Sequence, residues 1–171
     1  RNIDEVRADV AFAKSLLAGN HRLNLHEIYG DFGGQFVDRD EVETKHFDSW
    51  IEWAKEQGLK LDFNSTSFSH PKSGNLTLSN PDPAIREFWI EHTKRCRRIA
   101  DYMGSKQGDP SIMNIWVHDG SKDLTVERKR YREIFAESLD EILKEDLPNM
   151  KTCLEAKLFG RLLHLDFEIV H

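Results

Sequence analysis

At 171 residues, with 39% hydrophobic and 32% charged side chains, the chain is long enough for one domain with a real core and too apolar to be a disordered segment. A formal charge of −6 argues against a general binder of nucleic acid or of an anionic membrane surface. No apolar run reaches the length of a membrane span or a secretory signal, so the expected location is the cytoplasm.

Ile3, Val6, Val10, Ala13 and Leu17 recur at helical spacing and Gly19 stops them, which predicts a first helix over 3–17. Positions 22–29 then alternate as a strand. After the turn residues Gly30, Gly33 and Gly34, a second helix is expected over 40–57, with Phe47, Trp50, Ile51 and Ala54 on its apolar side and Gly58 at its end. A strand over 59–64 leads into a polar loop over 65–80, long enough to suggest a functional or capping excursion. Asp82-Pro83 opens a third helix as an N-cap followed by proline in the first turn. Its buried stripe is Ile85, Phe88, Trp89, His92, Cys96, Ile99 and Met103, and it should end near Gly104. A strand over 111–117, a helix over 125–144 and a strand over 150–159 complete the series.

Amphipathic helices alternating with short strands imply right-handed crossovers and a parallel sheet. Four such units form either half of a (β/α)₈ barrel or a small doubly wound sheet. No Gly-x-Gly-x-x-Gly or P-loop follows any strand. Each strand sets an apolar row against a polar or aromatic one: Leu23 and Leu25 against Asn24 and His26; Leu61 and Phe63 against Asp62 and Asn64; Met113, Ile115 and Val117 against Asn114 and Trp116; Leu154 and Ala156 against Glu155 and Lys157. A fully buried open sheet would be apolar on both faces, whereas a barrel lines its lumen with the second row. The expected fold class is therefore α/β, a partial (β/α)₈ TIM barrel of about four units.

On this reading His26, Asn64, Trp116, Glu155 and Lys157 converge on one mouth. Glu155 could ligate a divalent cation or act as a base, and Lys157 could stabilise an oxyanion. Spacing alone equally allows Glu155 and Lys157 a mutual structural ion pair. His26 could bond a polar substrate or serve structurally, and Trp116 could wall a sugar site or simply pack. Asp119, Gly120, Lys122 and Asp123 read as turn and cap chemistry. Cys96 and Cys153 stand in no metal or redox spacing and read as small buried hydrophobes. Lys94, Arg95, Arg97 and Arg98 read as a solvated helix face.

At these positions the chain resembles L-rhamnose isomerase. The likeness rests on Arg22-Leu23-Asn24-Leu25-His26, Leu61-Asp62-Phe63-Asn64, Phe68-Ser69-His70-Pro71, Met113-Asn114-Ile115-Trp116 with Asp119-Gly120 and Lys122-Asp123, and Glu155-Ala156-Lys157-Leu158-Phe159-Gly160. It implies a (β/α)₈ barrel and a cytoplasmic aldose–ketose isomerase acting on L-rhamnose, with two divalent ions, typically Mn²⁺, assisting a hydride shift. It also implies a homotetramer when full length. By position, Glu155 matches a metal-ligating glutamate and Lys157 the lysine at the reacting end of the sugar; together they are the expected catalytic pair. His26 matches a sugar-contacting histidine and Trp116 a tryptophan packed on the sugar.

The resemblance covers 1–160 as a partial barrel domain, and 161–171 departs from it as a divergent tail. Family chains are more than twice this length. The expectation is therefore a fragment, with a truncation or frameshift after Gly160, lacking isomerase activity by itself. Alternatives at this stage are a related metal-dependent barrel isomerase or epimerase, and a non-catalytic fragment.

Overall fold

The computed structural model describes residues 2–117, 119 and 126–156. Helices α1 (Ile3–Ser15), α2 (Asp48–Glu56), α3 (Pro83–Gln107) and α4 (Arg128–Leu143) alternate with strands β1 (Arg22–His26), β2 (Lys60–Thr66), β3 (Ser111–Val117) and β4 (Met150–Ala156). The four strands form one sheet in the order β1-β2-β3-β4, and every neighbouring pair is parallel. A doubly wound sheet reverses its strand order at a switch point, and these four strands do not. The arrangement is α/β and compatible with part of a barrel wall.

The apolar row of the sheet carries the core. Leu25, Leu61, Phe63, Met113, Ile115 and Val117 are buried with Trp50 and Ala54 of α2 and Trp89, Cys96, Ile99 and Met103 of α3. Each large apolar side chain so buried contributes roughly 1.5–3 kcal/mol. Phe47 closes the layer edge-on to Phe63, with centroids 4.9 Å apart. The outermost helix, α1, has no fully buried residue: Ile3, Val6 and Val10 pack partly on the core while Phe12, Leu16 and Leu17 are exposed.

Several boundaries differ from the pattern-based expectation. The second helix is half its expected length, because 39–47 forms two 3₁₀ turns, Arg39–Glu41 and Thr44–Phe47, instead of α-helix. The Asp38 carboxylate caps the first turn and His46 Nδ1 accepts from the Glu43 N–H, so local side chains satisfy amides that a helix would otherwise need. Between the turns Val42 is extended and buried. Strand β1 likewise stops at His26, and Glu27–Tyr29 turns as 3₁₀. Strand β2 runs on to Thr66.

Gly104 does not end α3, which continues to Gln107 and is closed by Gly108 at φ 64°. Its function is close approach: a β-carbon on Gly104 would overlap the Asn149 carbonyl. The neighbouring Asp101 Oδ1 accepts from Asn149 N at 2.7 Å, so α3 and the chain entering β4 meet backbone to backbone.

Arg97 leaves the solvated face on which Lys94, Arg95 and Arg98 make surface ion pairs. It is buried, and its guanidinium donates to the Ile142 and Glu145 carbonyls at the end of α4 and to Thr152 Oγ1. A fork of fixed donors suits the orphan carbonyls of a helix C-terminus, so Arg97 ties α4 to β4.

Candidate functional site

The polar row forms a hydrogen-bonded ladder across the sheet. Register places Asn24 opposite Asp62, His26 opposite Asn64, Asn64 opposite Asn114, and both Thr66 and Glu155 opposite Trp116. In parallel strands such partners share a face. At the strand beginnings the ladder is structural. Arg22 grips Asp62 bidentately, Nε–Oδ2 2.8 Å and Nη2–Oδ1 2.7 Å, and Asp62 Oδ1 also accepts from Ile112 N at 2.7 Å. Asp62 therefore has its acceptors committed to joining β1, β2 and β3.

Toward the strand ends the bonding converges on His26. Asn24 Nδ2 donates to Asn64 Oδ1 at 3.1 Å, which leaves the Asn64 amide nitrogen facing His26 Nε2 at 3.2 Å. Nε2 is then the acceptor, and Nδ1 carries the proton toward Thr66 Oγ1 at 2.8 Å. Burial, helped by the Arg39 charge, lowers the His26 pKa below its ordinary value and favours this neutral tautomer. The imidazole meets Trp116 edge-on at 5.7 Å between centroids, and Phe68 meets Trp116 edge-on at 4.8 Å. His26 and Trp116, paired from alternation, do come together.

Glu155 lies on the same face in β4, where it is exposed and accepts a hydrogen bond from Asn114 Nδ2. A single carboxylate with an amide neighbour fits one position in the shell of a hard cation, which takes six or more oxygens. Lys157 lies outside the described residues, as do Gly120, Lys122, Asp123 and 161–171. Cys153, two residues before Glu155, is exposed on this polar face and is not a buried hydrophobe; Cys96 is buried as expected.

The sequence reading missed several contributors. Thr66 and Phe68 lie just past the point where the strand was expected to stop, and continued alternation from Asn64 to Thr66 was the available signal. Asp119 is neither turn nor cap residue. It is buried and accepts from Thr77 N (2.8 Å), Ser79 N (2.7 Å), Ser79 Oγ (2.8 Å) and Thr77 Oγ1. That pins the long excursion after β2 to the end of β3.

A second polar cluster sits behind the ladder. Glu27, His92 and Cys96 are buried, with ligand atoms within 4.8 Å of one another, a spacing that could hold a metal ion. Its chemistry argues otherwise. Glu27 already pairs with Arg39, and His92 Nδ1 bonds the Arg39 carbonyl at 3.0 Å. Burial pushes the Cys96 thiol well above its ordinary pKa and pushes Glu27 up to about 7. The cluster lies on the α3 side of the sheet, and its charge is already balanced by a guanidinium.

Comparison with known proteins gives a consistent result. The family model described as L-rhamnose isomerase (RhaA) matches residues 1–163. The L-rhamnose isomerase of Bacteroides thetaiotaomicron is 67% identical over 160 residues, covering 94% of this chain and 38% of that protein. The L-rhamnose isomerase of Rhodopirellula baltica is 50% identical over 163 residues, covering 94% of this chain and 38% of that protein. That of Listeria monocytogenes serotype 4a is 50% identical over 159 residues, covering 91% and 38%. The chain spans about 38% of the length of the curated relatives it matches.

Proposed function

The chain belongs to the L-rhamnose isomerase family, and on that premise we propose that the protein of which it forms part interconverts L-rhamnose and L-rhamnulose. The observation that carries this reading is the 67% identity over 94% of the chain, joined to a polar ladder that ends in the aromatic group His26, Trp116 and Phe68. The sequential parallel order β1-β2-β3-β4 supports a (β/α)₈ barrel completed by further strands.

Within that reading each residue has a task. Trp116, held edge-on by Phe68, offers a flat apolar wall to the C–H face of the sugar. His26 stays neutral, and a sugar hydroxyl would displace the Asn64 amide from Nε2 while Thr66 continues to hold Nδ1. Glu155, oriented by Asn114, would supply one carboxylate to a divalent ion, Mn²⁺ by the family likeness. Such an ion would supply Lewis-acid polarisation of sugar oxygens. Lys157 would balance negative charge at the reacting end. The same likeness supports a cytoplasmic homotetramer; among the described residues no helix is long and apolar enough to cross a membrane.

The test is direct. A full-length polypeptide carrying this segment, loaded with manganese, should convert L-rhamnose to L-rhamnulose, and the 171-residue chain alone should not. No turnover by the full-length, metal-loaded protein would overturn the reading.

A further inference from the structure

One guanidinium, from the 3₁₀ turn Arg39–Glu41, reaches the chain just beyond His26 and the chain leading from β2 to Phe68. Arg39 Nη1 pairs with Glu27, the residue following His26. The same nitrogen donates to the Thr66 carbonyl at 2.6 Å, and Thr66 is the residue whose hydroxyl holds His26 Nδ1. Arg39 Nη2 leans toward the Phe68 carbonyl at 3.5 Å, and Phe68 is the ring packed on Trp116. The Arg39 carbonyl in turn bonds His92 Nδ1 on α3, which anchors the turn to the helix layer.

We propose that Arg39 is a positioning residue: by bridging the exits of β1 and β2 it sets the orientation of His26 and Trp116 toward the sugar. This rests on the sugar-site reading above. The arrangement needs arginine in particular. Nη1 meets the Glu27 carboxylate and the Thr66 carbonyl while Nη2 faces the Phe68 carbonyl, a two-pronged reach that the single nitrogen of a lysine does not reproduce. The Arg39 guanidinium is committed to Glu27 and to the Thr66 and Phe68 carbonyls. Its effect falls on where the sugar-facing side chains stand, and contacts loosened alike for the bound and the reacting sugar raise KM more than they lower kcat.

The experiment compares Arg39→Lys and the double variant Glu27→Gln/Arg39→Gln with the wild type in the full-length, manganese-loaded enzyme. The double variant leaves no unpaired buried charge, so it reports even where the lysine variant folds poorly. Both should raise the KM for L-rhamnose by roughly tenfold while kcat falls much less, as expected when contacts made equally by the bound and the reacting sugar loosen. If Arg39 merely neutralised Glu27, lysine would restore a wild-type KM, and that result in a folded variant overturns the proposal. So would stoichiometric zinc in the wild-type protein that is lost on Glu27→Gln, because a metal would then hold the cluster. Wild-type turnover with unchanged KM in the variants defeats this proposal alone; absence of wild-type turnover defeats the sugar-site reading with it.

Discussion

His26 and Thr66 are not register partners, yet His26 Nδ1 lies 2.8 Å from Thr66 Oγ1 while its register partner Asn64 takes Nε2. One imidazole thus spans two successive rungs of β2, so its ring plane and its tautomer are set by the same pair of bonds. That double constraint gives the end of the polar ladder a defined geometry rather than a general polarity.

Thr66→Val tests the constraint with little change of shape. The Nδ1–H would lose its acceptor, and because His26 is half-buried stability should fall by about 0.5–1.5 kcal/mol, the range for a typical intramolecular hydrogen bond. In the full-length enzyme the KM for L-rhamnose should rise several-fold as His26 gains freedom. Denaturant unfolding and steady-state kinetics check the two halves separately, and an unchanged KM would mean that Thr66 does not hold His26 for the substrate.

Glu155→Gln keeps the acceptor that Asn114 reaches but removes the charge offered to a cation. The variant should fold normally and hold manganese at least about tenfold more weakly, since hard cations bind through carboxylate charge. Metal titration followed by calorimetry measures this. Equal affinity in the variant would remove Glu155 from the metal shell.

Two buried groups make opposite contributions to stability on acidification. Burial lowers the His92 pKa from 6.5 to about 4, so between those values the folded chain binds fewer protons than the unfolded one and His92 destabilises it as pH falls. Burial raises the Glu27 pKa from 4.5 to about 7, so across that window the folded chain binds more protons and Glu27 stabilises it as pH falls. In the shared interval the two offset one another. Glu27→Gln should therefore steepen the loss of stability between pH 6.5 and 4.5 by roughly 2–3 kcal/mol, on the linkage slope of about 1.4 kcal/mol per unit. Urea unfolding at the two pH values, with and without the substitution, gives that difference. Identical slopes would refute it.

Gly104→Ala should be among the most damaging small substitutions in the chain. The added carbon would occupy the space of the Asn149 carbonyl, where α3 meets the entry to β4. Backbone on backbone cannot yield by changing rotamer, and overpacking of this kind typically costs 1–3 kcal/mol or more. Helix propensity alone predicts the reverse, a gain of about 1 kcal/mol from Gly to Ala. Thermal melts of the variant decide between the two signs.

The sequence by itself determined the order of helices and strands, their parallel class and the side of each strand that carries polar groups. Those properties follow from period-two and period-3.6 patterns written within a few residues, and they were enough to put His26, Asn64, Trp116 and Glu155 on one face. The likeness to a known family was equally legible, because its segments keep their order along the chain. Only the tertiary structure decided what those polar groups are bonded to. Asp62 is committed to Arg22, Asp119 holds Thr77 and Ser79 from the end of β3, and Arg39 joins Glu27 to Thr66 and Phe68. Partners so far apart in sequence leave no local periodicity, since nothing in the chain near Arg39 announces a carboxylate twelve residues earlier and a carbonyl twenty-seven later. Folding brings them together by closing the loops between β1, α2 and β2, and that closure turns a row of polar residues into a site with a defined geometry.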